Sequence, residues 1–357
     1  MNLKDKFILD KLSKMPLKTK IGQMLMIDYR DVLEMNVDLE KTLTTYSPGG
    51  FILFKSNLNN YNQTKKLLHD IKETGDIKLF IASDHEGGRV QKLSRVGLTP
   101  IPPMGEVGKT MSEEDIFNLA KQVGAELKGI GVDMDMAPVL DVFSNPDNKV
   151  IGDRAFASDP VTVSKLAMAF AKGLKDEKIV SVSKHFPGHG NTSTDSHIDL
   201  PVVEKDLEAL KCLELVPFVE AIRQNIPGIM IGHLAVPKIT DDNLPASLSR
   251  IMISDLLKED YKYKGLVMPD SLKMKALSNY FTESEIYLRC VNAGNDMLLM
   301  PQNINKAFET VYNAVNEGYI TEDRIDDAVY RILSIKFDYG FFDKEYHEYI
   351  SKNIKSL

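Results

Sequence analysis

The sequence predicts an α/β protein built as a single (β/α)8 TIM-type barrel, and two features of the chain support this fold. Eight short apolar runs alternate with longer amphipathic stretches along the 357 residues. No linker rich in Pro, Gly and Ser, and no internal repeat, divides the sequence. Parallel strands that are covered on both faces read as continuous apolar runs, and helices connect them. A doubly wound open sheet shows the same alternation, so closure of the barrel is an expectation beyond the strand count.

Each predicted strand is a run of about the length of a buried strand. In chain order the runs cover residues 22–28, 49–55, 77–84, 132–141, 178–186, 227–234, 264–271 and 295–301.

The predicted helices lie between these runs and begin at recognisable N-cap residues. Ser, Thr and Asp side chains accept a hydrogen bond from a backbone N–H group in the first turn, which would otherwise lack a partner. The expected caps are Ser112, Asp159, Ser249, Thr282 and Thr321.

Domain organisation is predicted to be simple. The barrel is expected to occupy residues 1–340, followed by a charge-rich C-terminal tail over 341–357, with no second domain. We expect a monomer or a weak homodimer.

Composition excludes several classes of function. The formal net charge of −7 disfavours nucleic acid or an anionic membrane as the main partner. No apolar run approaches the roughly 18 residues that a membrane span needs, and residues 1–20 are charged throughout, so we expect a cytoplasmic protein. Cys212 and Cys290 are too far apart in sequence to indicate a zinc site and are predicted to be two reduced core thiols.

Titratable residues lie at or near the ends of the third to seventh apolar runs. In a barrel, the carboxyl ends of the strands surround the active site, so these positions are candidates for catalysis or binding. They are Asp84, Asp141, the pair Lys184 and His185, His233, and Asp270.

The segment after the fifth run carries a cluster of His and Asp residues that two chemistries could use. A metal site could recruit His185, His189, His197 and His233. Metal-dependent barrel hydrolases usually carry an H-x-H pair on the first strand, and residues 22–28 contain no His, so we expect no metal and no other cofactor. The favoured alternative is proton transfer by a His opposite a carboxylate nucleophile, which suits retaining glycoside cleavage.

Three motifs resemble the signatures of glycoside hydrolase family 3. They are DHEGGRVQKL at 84–93, KHFPGHGNTSTDSH at 184–197 and GLVMPDSLKMKAL at 265–277. More narrowly, they resemble the bacterial β-N-acetylglucosaminidase branch. The matches to this branch occur in the same order along the chain, from about residue 20 to about residue 340.

The resemblance implies a role for each matching residue. Asp270 matches the nucleophile that forms a covalent glycosyl-enzyme, and His197 matches the acid/base, with Asp195 as its partner. The matching sugar-binding residues are Asp84, Arg154, Lys184 and His185. Arg89 lies in the first motif, where a structural role fits equally well.

The resemblance therefore implies an exo-acting retaining β-N-acetylglucosaminidase that acts on GlcNAc-containing muropeptide or amino-sugar oligosaccharides. Three alternatives stay open at this point. They are a β-glucosidase or β-xylosidase of the same family, a phosphorylase that uses phosphate as acceptor, and a sugar-binding protein without catalysis.

Overall fold

A computed structural model describes residues 2–192, 199–240 and 244–354. Within these ranges, eight parallel strands form the central sheet, each inside one of the predicted runs. They are β1 (Leu25–Ile27), β2 (Gly50–Ile52), β3 (Phe80–Ser83), β4 (Met134–Asp135), β5 (Val180–Phe186), β6 (Gly228–Ile231), β7 (Leu266–Pro269) and β8 (Leu298–Leu299).

The order around the sheet is β8-β1-β2-β3-β4-β5-β6-β7, with every ladder parallel. The two ends of the sheet meet because the backbone N–H groups of Asp296 and Met297 both donate to the Val267 carbonyl, at 2.7 and 3.3 Å. The predicted barrel is confirmed.

Helices cover the outside of the barrel and connect successive strands. The α-helices are α1 (Leu3–Lys14), α2 (Leu17–Gln23), α3 (Val37–Tyr46), α4 (Tyr61–Lys72), α5 (Met104–Thr110), α6 (Glu113–Ile130), α7 (Pro160–Asp176), α8 (Leu207–Cys212), α9 (Val216–Arg223), α10 (Pro237–Thr240), α11 (Lys275–Ser278), α12 (Glu283–Ala293), α13 (Ile304–Asn316), α14 (Glu322–Asp338) and α15 (Asp343–Ile354). A π-helix spans Ile251–Asp260, and short 3-10 helices span Lys55–Asn57, Lys92–Val96, Gly152–Arg154 and Ala246–Leu248. After β3, His85–Gly87 pairs with Val90–Gln91 in an antiparallel hairpin.

Four of the five predicted caps are confirmed. The side chains of Ser112, Asp159, Thr282 and Thr321 each accept an N–H group from the first turn of their helix. The prediction for Ser249 is wrong. Ser249 ends the preceding 3-10 helix, so its carbonyl rather than its buried hydroxyl bonds the π-helix that follows.

The C-terminal segment forms a helix that packs on the N-terminal helix. The Phe7 ring on α1 lies 5.4 Å from Tyr346 and 5.3 Å from Tyr349 of α15, both in edge geometry. These aromatic contacts anchor α15 to the barrel's outer layer.

The two cysteines differ in environment. Cys290 on α12 is fully buried, and burial raises the pKa of its thiol far above the usual range. Cys212 at the end of α8 is exposed, so the prediction of two core thiols is wrong for this residue. In the described part of the chain, no helix is both long enough and apolar enough to cross a membrane.

A buried ion cluster lies where the barrel closes. The Asp296 carboxylate accepts the Val267 N–H at 2.9 Å, the Lys258 ammonium at 2.7 Å and an Arg324 N–H at 3.1 Å. Asp296 is fully buried, so its charge depends on these two cations.

We expect Asp296→Asn to lower the free energy of unfolding by about 3 kcal/mol, because Lys258 and Arg324 then keep only the half-exposed Asp327 as counter-ion. Urea unfolding measures the change. The control is Asp255→Asn, whose pair with Arg250 is solvent-exposed at 3.6 Å and should contribute less than about 1 kcal/mol. Equal effects of the two substitutions would show that the closing cluster contributes no special stability.

Candidate active site

A cavity of about 540 Å³ opens at the carboxyl ends of the barrel strands. Sequence-predicted residues from three different strand ends and one loop line it together, namely Asp84, Arg154, Lys184, His185 and Asp270. The barrel thus brings together residues that are up to 186 positions apart, from Asp84 to Asp270. Sites of this kind are typical of barrel enzymes.

One wall of the cavity is a network of alternating charges. The Lys184 ammonium, which is almost completely buried, lies 3.0 Å from Asp84 and bonds Glu86 as well. Glu86 also accepts two N–H groups of Arg154, at 2.7 and 2.8 Å, in the bidentate geometry that fixes a guanidinium. Lys92 completes the network at 2.6 Å from Asp84.

The network keeps its carboxylates ionised. Burial alone would raise the pKa of Asp84, but the Lys184 and Lys92 ammonium groups lower it well below the usual range. For Glu86, burial is likewise outweighed by Lys184 and Arg154, and the pKa of this carboxyl is lowered. Asp84 keeps about a fifth of its side chain exposed, so its carboxylate is available to a sugar hydroxyl.

These lowered pKa values make stability depend on acid pH. The unfolded chain binds more protons than the folded chain where Asp84 and Glu86 titrate, so the free energy of unfolding falls as pH drops below about 5. We expect Glu86→Gln to be less stable at pH 7 but to lose less stability between pH 7 and pH 4. Urea unfolding at both pH values tests this. If Glu86→Gln and the wild type lose the same unfolding free energy between pH 7 and pH 4, the prediction is contradicted.

His185 is oriented by a buried carboxylate. Its Nδ1 lies 2.6 Å from Asp141 Oδ2, and its Nε2 lies 3.5 Å from an Arg154 nitrogen. Asp141 also accepts the backbone N–H of His189, so one carboxylate fixes both ends of this turn. The pKa of Asp141 is lowered, since His185 and His189 outweigh its burial. Asp141 is therefore a support behind the cavity wall.

Asp270 follows β7 and faces the cavity. Its Oδ1 accepts the Ser271 N–H at 2.6 Å, and among the described residues it makes no ion pair. Burial would raise its pKa, but His185, His233 and the Ser271 N–H outweigh burial and lower it. His233 does not line the cavity and instead lies 3.0 Å from the Ser271 carbonyl. Asp270 is thus an ionised carboxylate that has no direct cationic partner among the residues that the structure describes.

Two predicted residues, His197 and Asp195, lie outside the described residues. The residues that flank the segment, Thr192 and Asp199, each make a side-chain hydrogen bond. Thr192 Oγ1 lies 2.6 Å from His189 Nδ1, and Asp199 accepts the Tyr280 hydroxyl at 2.6 Å. The roles of His197 and Asp195 stay predictions.

Sequence reasoning missed one carboxylate of the cavity lining, Glu86, and one outside the lining that bonds two of its cations, Asp28. Glu86 lies two residues after Asp84, and alternate residues of an extended segment point to the same side, so the spacing could have identified it. Asp28 ends the first apolar run, where it bonds Lys273 at 2.6 Å and Arg30 at 3.2 Å. The rule that polar residues at strand ends form the site would have found Asp28 too.

Arg89 holds the loop that carries Arg154. One Arg89 nitrogen donates to the carbonyls of Lys149, Val150 and Ile151, at 2.8, 2.6 and 3.2 Å. Arg154 itself donates to the Val150 carbonyl at 3.1 Å. These contacts favour a positioning role for Arg89.

We expect Arg89→Ala to raise KM about 10-fold while kcat changes less than about 3-fold, because a displaced Arg154 weakens binding of the sugar more than the chemistry. Steady-state kinetics measure the split. Arg95→Ala, a substitution in the same connection after β3 but outside the cavity lining, is the control. A loss confined to kcat would contradict this role.

The closed barrel carries a cavity lined by ionised carboxylates, Lys, Arg and His at the carboxyl ends of its strands, as barrel enzymes do. The family comparison agrees, since residues 16–335 match the glycosyl hydrolase family 3 N terminal domain. The chain belongs to glycosyl hydrolase family 3, which confirms the resemblance to this family.

A beta-hexosaminidase and two solved structures are similar to this protein over most of the chain. A beta-hexosaminidase of Hydrogenovibrio crunogenus is 36% identical over 257 residues, which cover 70% of this chain and 71% of the relative. A solved family 3 beta-N-acetylglucosaminidase from Paenibacillus sp. is 35% identical with a TM-score of 0.88, covering 92% of this chain and 63% of that chain. The structure of LpqI from M. tuberculosis is 32% identical with a TM-score of 0.84, and the match covers 92% of this chain and 96% of LpqI.

Some relatives are longer than this chain. The match covers 62% of the beta-hexosaminidase A of Pseudoalteromonas piscicida, which is 31% identical over 369 residues. Activity and substrate are therefore argued from the site of this chain.

Proposed function

We propose that the protein is an exo-acting retaining β-N-acetylglucosaminidase that removes terminal non-reducing β-GlcNAc from muropeptides or amino-sugar oligosaccharides. The observation that carries the proposal is the contrast among the cavity carboxylates. Asp84 and Glu86 are bonded to cations, whereas Asp270 is partly exposed, ionised and without an ion pair among the described residues. A nucleophilic carboxylate must be free to attack the substrate, whereas a carboxylate that only binds sugar hydroxyls can also be bonded to cations.

In the first step, the Asp270 carboxylate attacks the anomeric carbon while His197 protonates the leaving glycosidic oxygen. The C1–O bond breaks and a covalent glycosyl-Asp270 ester forms. Asp195 orients the His197 ring and stabilises its protonated form. In the second step, His197 takes a proton from water, and this water attacks C1 and releases Asp270.

The charged wall supports binding of the sugar. Asp84 and Lys184 present one acceptor and one donor to sugar hydroxyls, and Arg154 and His185 extend this polar wall. Because these groups already bond one another, the site is organised before the sugar binds.

The charge of the cavity supports a substrate whose leaving group carries carboxylates. Among the described residues, six cationic side chains line it against three carboxylates, and Asp28 outside the lining pairs with two of the six, although the formal charge of the whole chain is −7. A GlcNAc ring is neutral, so the excess positive charge favours a substrate whose other part carries carboxylates, as muropeptides do. Arg30 and Lys273 share Asp28, and Lys275 is the lining cation that makes no ion pair among the described residues.

The same excess of positive charge favours a second candidate, phosphorolysis. Phosphate could replace water as the acceptor, since a neutral His197 would not repel the incoming anion as a carboxylate base would. The product would then be a sugar 1-phosphate.

Hydrolysis of p-nitrophenyl β-N-acetylglucosaminide beside the matching β-glucoside tests the proposal, with EDTA and with phosphate as separate additions. We expect metal-independent cleavage of the N-acetyl sugar alone. Preference for the glucoside would place the protein in another branch of the family, and no cleavage of either would support a sugar-binding protein. Formation of sugar 1-phosphate only when phosphate is added would establish phosphorolysis.

A further inference from the structure

A second cavity, of about 570 Å³, lies at the opposite end of the barrel from the candidate active site. Pro227 and Gly265, which directly precede β6 and β7, form part of its wall, together with residues of α1, α7 and α14. Five lysines line it, namely Lys4, Lys175, Lys178, Lys262 and Lys264. Of the described residues that line it, Asp338 is the only carboxylate, and both of its oxygens bond Lys4 at 2.7 Å.

Four of the five lysines lie in the last turn of a helix or shortly after it, and Lys4 lies in the first turn of α1. Cations at the C-terminal ends of helices often bond the last carbonyl groups. That explanation fails for this cavity. Among the described residues, the ammonium groups of Lys175, Lys178 and Lys264 donate to no carbonyl and form no ion pair. Lys262 has one partner, Glu259, at 3.6 Å on the exposed surface.

These three ammonium groups are solvent-exposed and have no carboxylate partner among the described residues, so they repel one another around one concave surface of a chain whose net charge is −7. A bound anion removes this repulsion. The cavity lining also offers uncharged donors, the Asn225 amide and the Ser334 hydroxyl. The volume falls within the range of small-molecule sites.

We propose that this basic cavity is a binding site for a compact polyanion of the oligophosphate type, separate from the glycosidase site. Several charges on one ligand are needed because the lysines without ion pairs come from two places, the end of α7 (Lys175 and Lys178) and the connection to β7 (Lys264). Lys binds phosphate as a point charge, so spaced ammonium groups fit linked phosphates better than a single carboxylate.

Isothermal titration of the full chain with inorganic tripolyphosphate tests the proposal, with orthophosphate and citrate as comparison ligands. We expect K178E/K264E to weaken tripolyphosphate binding at least about 10-fold, and added NaCl to weaken it further. The matched control is K65E/K165E, which changes the net charge equally at exposed lysines outside the cavity and should change the Kd less than about 2-fold.

The outcomes separate the possible sources of binding. Equal losses in the two double variants, or no binding by the wild type, would overturn the proposal. Retained binding in K178E/K264E would assign the anion to the cationic glycosidase cavity instead and would also overturn it. If charge reversal prevents folding, K178Q/K264Q is expected to weaken binding about 5-fold. Tighter binding of citrate than of tripolyphosphate would contradict the phosphate class.

Discussion

Replacing Asp270 by Asn is expected to lower kcat at least about 10⁴-fold while leaving the Kd for GlcNAc within about 3-fold of the wild type. The amide keeps the size of the side chain and can still accept the Ser271 N–H, so the cavity keeps its shape. It cannot form the glycosyl ester, so the main route to product is lost. Steady-state kinetics measure kcat, and titration with GlcNAc measures binding.

The matched control is Asp10→Asn, a substitution of an exposed carboxylate on α1 that should leave both quantities unchanged. A parallel loss of binding and of kcat in Asp270→Asn would assign Asp270 to substrate binding. A loss of kcat smaller than about 10-fold would exclude it as the nucleophile.

His197→Ala is expected to reduce cleavage of substrates with poor leaving groups far more than cleavage of activated ones. General acid catalysis contributes about 10²–10⁴-fold when the leaving oxygen needs a proton. Because p-nitrophenolate leaves without much protonation, we expect its glycosylation step to be nearly unaffected, while kcat/KM for a GlcNAc disaccharide falls at least about 100-fold.

The comparison of kcat/KM for the two substrates tests this role, and Asp195→Asn provides a graded second variant. If Asp195 acts by orienting His197, its loss should give the same selectivity for leaving groups with a smaller amplitude. Equal losses for both leaving groups in His197→Ala would contradict the assignment as the acid.

The sequence predicted the strands well because their burial on both faces leaves a simple signal. Even the short β8, Leu298–Leu299, lies inside a predicted run because its apolar neighbours are buried as well. The cap at Ser249 could not be predicted in the same way. A 3-10 helix immediately before it shifts the start of the next helix, and that shift depends on tertiary packing around Ala246 and Leu248.

For the site, strand-end positions predicted which side chains would meet but not how they would pair. Asp84, Lys184 and Asp270 were expected at one end of a barrel on this rule. That Lys184 would bond both Asp84 and Glu86, leaving Asp270 without an ion pair among the described residues, depends on the geometry of the closed barrel. Arg89 is similar, because its partners are backbone carbonyls about 60 residues later in the chain, which no local pattern encodes.

The central claim is that Asp270 becomes covalently glycosylated, and trapping this ester tests it most directly. The probe is an activated 5-fluoro β-GlcNAc fluoride, whose ring fluorine slows hydrolysis of the glycosyl-enzyme. Intact-mass spectrometry should show the addition of one sugar residue, and peptide mapping should place it on Asp270. Asp270→Asn should show no addition. An adduct on another carboxylate, or turnover of the probe with no adduct at any time, would contradict the account.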